Sequence, residues 1–133
     1  MRLVLAAGLA GALLVGCAAP APKPKPAPAP SGLSDLMERP AERALFEGMR
    51  AYDDGNYAQA ETALRKALDQ GLASTRDQAS AHKLLAFITC TSDRVALCEA
   101  EFRAARAADP AFVLSRSEAG HPVWGPVYKR VLP

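Results

Sequence analysis

Alanine and other apolar residues recur at helical spacing along most of the chain beyond residue 38, interrupted by short polar turns. The spacing predicts four helices near 40–54, 57–70, 76–90 and 94–108. Pro40 suits a first helical position, where its missing N–H costs nothing. Asn56-Tyr57-Ala58-Gln59 and Thr75-Arg76-Asp77-Gln78 both read as capping boxes. Asp93 is placed to cap the fourth helix and Pro110 to close it. Half of the chain is hydrophobic and only 6% is aromatic, which suits close-packed helices rather than a sheet. The expected fold class is all-α.

The N-terminal pattern is different. Met1-Arg2 precedes an uncharged apolar run, Leu3 to Val15, which is too short for a spanning helix of about 20 residues and fits a secretory signal. It ends on Leu14-Val15-Gly16-Cys17. This run resembles the lipobox of bacterial lipoproteins, in which signal peptidase II cuts before the cysteine and the thiol carries diacylglycerol. The resemblance implies a signal peptide over 1–16 and lipidation of Cys17; no cofactor beyond that lipid is expected. With Ala18 rather than Asp after the cysteine, it also implies sorting to the outer membrane, facing the periplasm. From Pro20 to Pro30 every second residue is proline, so 17–32 reads as a disordered, polyproline-like tether. At about 3.1 Å per residue it would hold a domain on the order of 30 Å from the bilayer.

Setting Arg2, Lys23 and Lys25 aside from the 16 basic residues leaves 13 against 14 acidic ones. No basic field is left to attract nucleic acid. Residues 33–110 then form one helical domain, and 111–133 a C-terminal tail that folds back over it. Ser34 to Glu38 can add a leading turn.

Within the domain, Gly48/Ala86, Ala60/Cys98, Leu64/Phe102 and Ala67/Ala105 share one offset of 38 positions. Small residues at the first two pairs let crossing helices approach, and the last two fill the seam. The two blocks resemble tetratricopeptide repeats, helix–turn–helix units of about 34 residues. The resemblance implies two such hairpins capped by a short C-terminal segment. It has departures: Ala44 and His82 replace an early aromatic, Glu47 replaces an apolar residue, and the first block lacks a closing proline. In that family the first helix of each unit lines a concave face. By position this face holds Glu42, Leu45, Met49 and Tyr52, then Ser80, Lys83 and Phe87. The same residues can instead be filled by the chain's own leading or trailing segment.

Cys90 and Cys98 flank the turn Thr91–Asp93 at facing positions of the second hairpin. With Cys17 lipidated they are the two remaining thiols, in an oxidising compartment, and a Cys90–Cys98 disulfide is expected; the alternative is two buried free thiols. In the tail, Ser115 and Glu118 can cap a short helix, and Pro126 can start a last one bearing Val127, Tyr128 and Val131. Trp124 and Tyr128 either cover the open end of the helices or anchor a partner.

No catalytic or metal motif is present: there is no HExxH, nucleophile elbow or phosphate loop. His82 reads as a core or groove residue, and His121 as a turn residue before a proline. The expectation is a non-enzymatic, outer-membrane-anchored lipoprotein that holds an envelope protein or peptide for a secretion, pilus or outer-membrane assembly machine. No small-molecule substrate is expected. The alternative is a passive structural envelope lipoprotein without a client.

Overall fold

The structure, a computed structural model, describes Gly32 and residues 38–132. Cys17, the segments 1–16 and 20–30, and the leading residues from Ser34 lie outside them. Among the described residues there are six helices and no strand. They are α1 (Pro40–Asp53), α2 (Tyr57–Asp69), α3 (Thr75–Thr91), α4 (Val95–Ala108), α5 (Arg116–Ala119) and α6 (Trp124–Val131). The all-α expectation holds, and the four long helices lie within a residue or two of their predicted bounds. No helix among them is long and apolar enough to cross a membrane.

In α1, α2 and α4 the buried residues, mostly small and apolar, fall on one stripe. In α1 the buried positions are Ala41, Ala44, Leu45, Gly48 and Ala51, and Pro40 opens the helix. α1 packs chiefly on α2, and α3 on α4. A Cβ added at Gly48 would stand 2.7 Å from the Leu64 side chain, so the close approach of α1 and α2 requires a glycine there.

The turns closing both pairs have the same hydrogen bonds. In the first, Gly55 N–H reaches Tyr52 O and Asn56 N–H reaches Ala51 O; in the second, Asp93 reaches Cys90 and Arg94 reaches Thr89. Gly55 has φ 75° and Asp93, 38 residues later, φ 58°. Asp93 therefore sits in the left-handed turn and is not the cap of α4, whose preceding residue is Arg94 with no side-chain cap. Two other caps differ from expectation. Asn56 makes no capping bond, and the cap of α3 is Ser74, whose hydroxyl accepts the Asp77 N–H. Gln78 instead donates to Leu72 O at 2.7 Å.

α3 is the central element. Ala81, Leu85 and Ile88 pack into a first core with α1 and α2, and Ala79, Ala86, Phe87 and Cys90 into a second with α4 and the tail. That is why its apolar residues run nearly around the helix from Leu85 to Cys90. Thr89 is fully buried, and its hydroxyl donates to Leu85 O and Ala86 O.

The tail completes the second core. Phe112 and Leu114 are buried, and Ser115 and Glu118 form the expected capping box of α5. α6 begins at Trp124, so Pro126 lies inside its first turn, where its missing N–H has no intrahelical acceptor to lose. A Cβ on Gly125 would meet Ala119 O at 2.5 Å, and this glycine lets α6 close against α5.

Candidate functional site

The residues predicted to line one concave face divide into a covered half and an open half. On α3, Phe87 is buried beneath Trp124, with ring centroids 4.2 Å apart and planes at 19°. His121 stacks on the other face of Trp124 at 3.3 Å. The indole N–H donates to Glu118 O, which fixes the ring's orientation. Lys83 Nζ lies 2.7 Å from Glu118 Oε1 and 5.9 Å from the Phe87 ring centre. The trailing segment therefore fills this half, and Phe87 and Lys83 are not free groove residues.

Trp124 and Tyr128, the candidate partner anchors, take up the covering role. Tyr128 is buried, its ring 5.4 Å from Phe102, and its hydroxyl accepts the Leu114 N–H at 3.3 Å. Burial pushes the Glu118 carboxyl up, but bonds from Lys83 and from the Ser115 N–H and hydroxyl together hold it below the usual range. Glu118 thus stays charged and clamps the tail onto α3.

On α1 the picture is mixed. Leu45 is buried in the first core and faces no groove. Glu42 lies 3.8 Å from Arg39. Met49 is 43% exposed. Tyr52 is half-buried, with its ring 5.4 Å from that of Tyr57, which is 50% exposed. Burial, then the Tyr57, Asp53 and Glu118 charges, raise the Tyr52 phenol above its ordinary value, so it remains a neutral donor. Ser80 lines a shallow cleft of about 250 Å³ with Arg76, Lys83 and Val113. Small-molecule pockets run from about 300 Å³ upward, so this cleft suits a side chain rather than a metabolite.

The Cys90–Cys98 disulfide is formed, with Cα atoms 5.1 Å apart. It ties the end of α3 to the first turn of α4. Among the described residues no three His, Cys, Asp or Glu side chains gather to hold a metal ion.

A charge network between the two pairs has no counterpart in the sequence reading. Arg94 grips Glu61 through two nitrogens, at 2.9 and 2.7 Å. Arg65 bridges Glu61 at 2.9 Å and Glu101 at 3.3 Å. Glu101 is buried, and its second oxygen lies 2.7 Å from His82 Nδ1. The Arg94 hydrogen bonds, with those of Arg65, pull the Glu61 carboxyl down to about 2 against the effect of burial. A second latch repeats the pattern: Glu99 accepts from Arg103 of its own helix and from Arg130 of α6. Arg130, then Arg103, lower its carboxyl. Glu61/Glu99 and Arg65/Arg103 share the same offset of 38, a signal that was present in the sequence.

No family model, no curated protein and no solved structure matches the chain.

Proposed function

We propose that this chain is an outer-membrane lipoprotein, anchored through Cys17, whose tetratricopeptide-like helical domain acts as a protein-interaction adaptor in the cell envelope. The lipobox-like run ending at Cys17, Ala18 after it and the proline ladder support the address. The Cys90–Cys98 disulfide is in keeping with an oxidising compartment.

One observation carries the adaptor role. Met49 stands 38 residues before Phe87, at the equivalent position. Phe87 is covered by the chain's own Trp124, while Met49 stays open one turn before Tyr52, whose ring meets that of Tyr57. A client side chain would do for Met49 what Trp124 does for Phe87. The client is then a peptide or helix of an envelope protein that presents an aromatic or large aliphatic residue, to which a thioether adapts well. Catalysis, a cofactor beyond the lipid, and nucleic acid have no part in this reading.

The test is a photo-crosslinker at Met49 in the full-length lipidated protein in its own cells, read by mass spectrometry. One dominant envelope protein, lost in Tyr52→Glu, supports the adaptor. Absence of any crosslinked client would favour the passive structural lipoprotein, a reading that the self-covered Phe87 half also suits. Mass spectrometry of the intact chain tests the anchor separately: unmodified Cys17 on an uncleaved chain overturns it.

A further inference from the structure

The outward face of α1, opposite its buried stripe, carries Arg39 just before the helix, then Glu42, Phe46, Arg50 and Asp53. Their spacing is three, four, four and three residues, so they fall on one side of a 3.6-residue helix. The same spacing reads identically in both directions about Phe46. The charges do not: they run plus, minus, Phe46, plus, minus, and the exposed Arg43 and Met49 on the same side stand symmetrically about Phe46, so an antiparallel copy sets Arg43 against Met49 and adds no like-charge pair.

That combination is self-complementary under a two-fold axis. If a second α1 lies antiparallel with the axis at Phe46, Arg39 meets Asp53 of the other copy, Glu42 meets Arg50, and Phe46 meets Phe46. Each ion pair occurs twice, as an isologous interface demands. A parallel arrangement would oppose every charge to its like.

Four of the five side chains are accessible, and that of Glu42 is only 12% exposed. Phe46 is 48% exposed, a large aromatic with solvent on one side. The intrachain partners of the charges are distant: Arg39 lies 3.8 Å from Glu42, and Arg50 lies 4.0 Å from Asp54. Asp53 is exposed at the last turn. Glu42 is the most covered of the five, so the Arg39–Asp53 pair is the stronger determinant. The geometry points to α1 as a homodimer interface: the outer face of the first helix docks a second copy of this chain, antiparallel, about Phe46.

One helix face is smaller than the roughly 800 Å² per partner of a stable complex, so the dimer is weak in dilute solution and is best trapped covalently. Met49 lies one turn beyond Phe46, so the dimer would cover part of the proposed client patch; Tyr52→Glu lies off the Phe46 line and leaves the pairing intact, which keeps the two tests distinguishable.

Phe46→Cys in the full-length chain is the test, since a residue on a two-fold axis faces its own copy. Under mild oxidation, Phe46→Cys should give several-fold more disulfide-linked dimer than Val113→Cys, an exposed site of the tail. Mass spectrometry assigns the bond to the two introduced thiols. Adding Arg39→Glu should lower the yield about ten-fold, because two attractive pairs become repulsive. Combining Arg39→Glu with Asp53→Arg should restore it. Both changes suit the helix dipole, an acid at the N-terminal end and a base at the C-terminal end, so the fold is not put at risk. A Phe46→Cys yield no higher than that of Val113→Cys overturns the dimer. That result is expected if a bilayer or the chain's own N-terminal segment occupies Phe46. Failure of the double charge swap to restore the yield overturns the antiparallel register.

Discussion

Ala44 and Ala63 in the first helix pair stand where His82 and Glu101 stand in the second, 38 residues later. All of these but His82 are buried, and His82 is half-buried. Tyr52 and Ala60 likewise stand where the Cys90–Cys98 disulfide is. The first pair is therefore held by small residues at close approach, and the second by a covalent bond, rings and a buried acid. The second pair also receives the tail, whereas α1 receives nothing on its outward face among the described residues. One backbone plan thus tolerates two ways of filling it. The way that leaves apolar surface open is the way that leaves room for a partner.

Removing the seam residues tests how separately the pairs stand. Phe102→Ala should cost about 3–5 kcal/mol, since Phe102 is fully buried against Phe87 and Tyr128. Leu64→Ala, at the equivalent position, should cost about 2–5 kcal/mol. Thermal melting should show one transition for each variant, because α3 belongs to both cores. Two transitions would mean that the pairs unfold independently.

The disulfide comes next. Replacing Cys90 and Cys98 together by serine should cost about 2.5 kcal/mol, from a loop closed across a sequence separation of 8 in the chain-entropy description. Denaturant midpoints with and without reductant measure this. The Trp124 emission reports the second pair alone, as it is the chain's single tryptophan. Reduction should shift that signal at least as far as far-ultraviolet dichroism.

Glycine and alanine can then be exchanged between equivalent positions. Gly48→Ala should cost about 1–3 kcal/mol through overpacking against Leu64. Ala86→Gly should cost about 1–2 kcal/mol, from helix propensity and the lost burial of one methyl group, without any overpacking. Equal costs would remove the distinction drawn between a close approach in one pair and ordinary packing in the other.

The smallest effect is electrostatic. The folded Glu61 carboxyl is held at about 2, below an unfolded value near 4.3. Its contribution is complete above the unfolded value and is lost as pH falls from about 5 through about 2. Solvent screening limits it to about 1 kcal/mol. Glu61→Gln should flatten that part of the acid limb and leave the neutral-pH fold intact, as an acid titration by circular dichroism would show.

The helices were legible because their signal is repeated: each apolar stripe recurs over three or four turns, so one misread residue does not move the element. Caps are decided by a single hydroxyl. Ser74 and Thr75 both have a suitable residue three positions on, and only the backbone entering the helix chooses Ser74. The disulfide was readable from pairing across a turn. The Glu101 site was not, because burial of an acid depends on a cation from another helix, here Arg65, with His82 beside it. The covering of Phe87 was legible only as one of two alternatives, since Trp124 reaches it through a turn geometry that Gly125 makes possible.

The order of the two pairs along the chain also has a mechanical meaning. Among the described helices, a pull from the N-terminal side is first borne by α1, whose hold on its neighbours rests on small apolar contacts. Beyond them the Glu61 latch and then the Cys90–Cys98 bond lie in the load path, and the covalent bond does not yield to such forces. The molecule is therefore graded as a shock absorber is, softest at the end that takes the strain, with the aromatic core of the second pair shielded behind it.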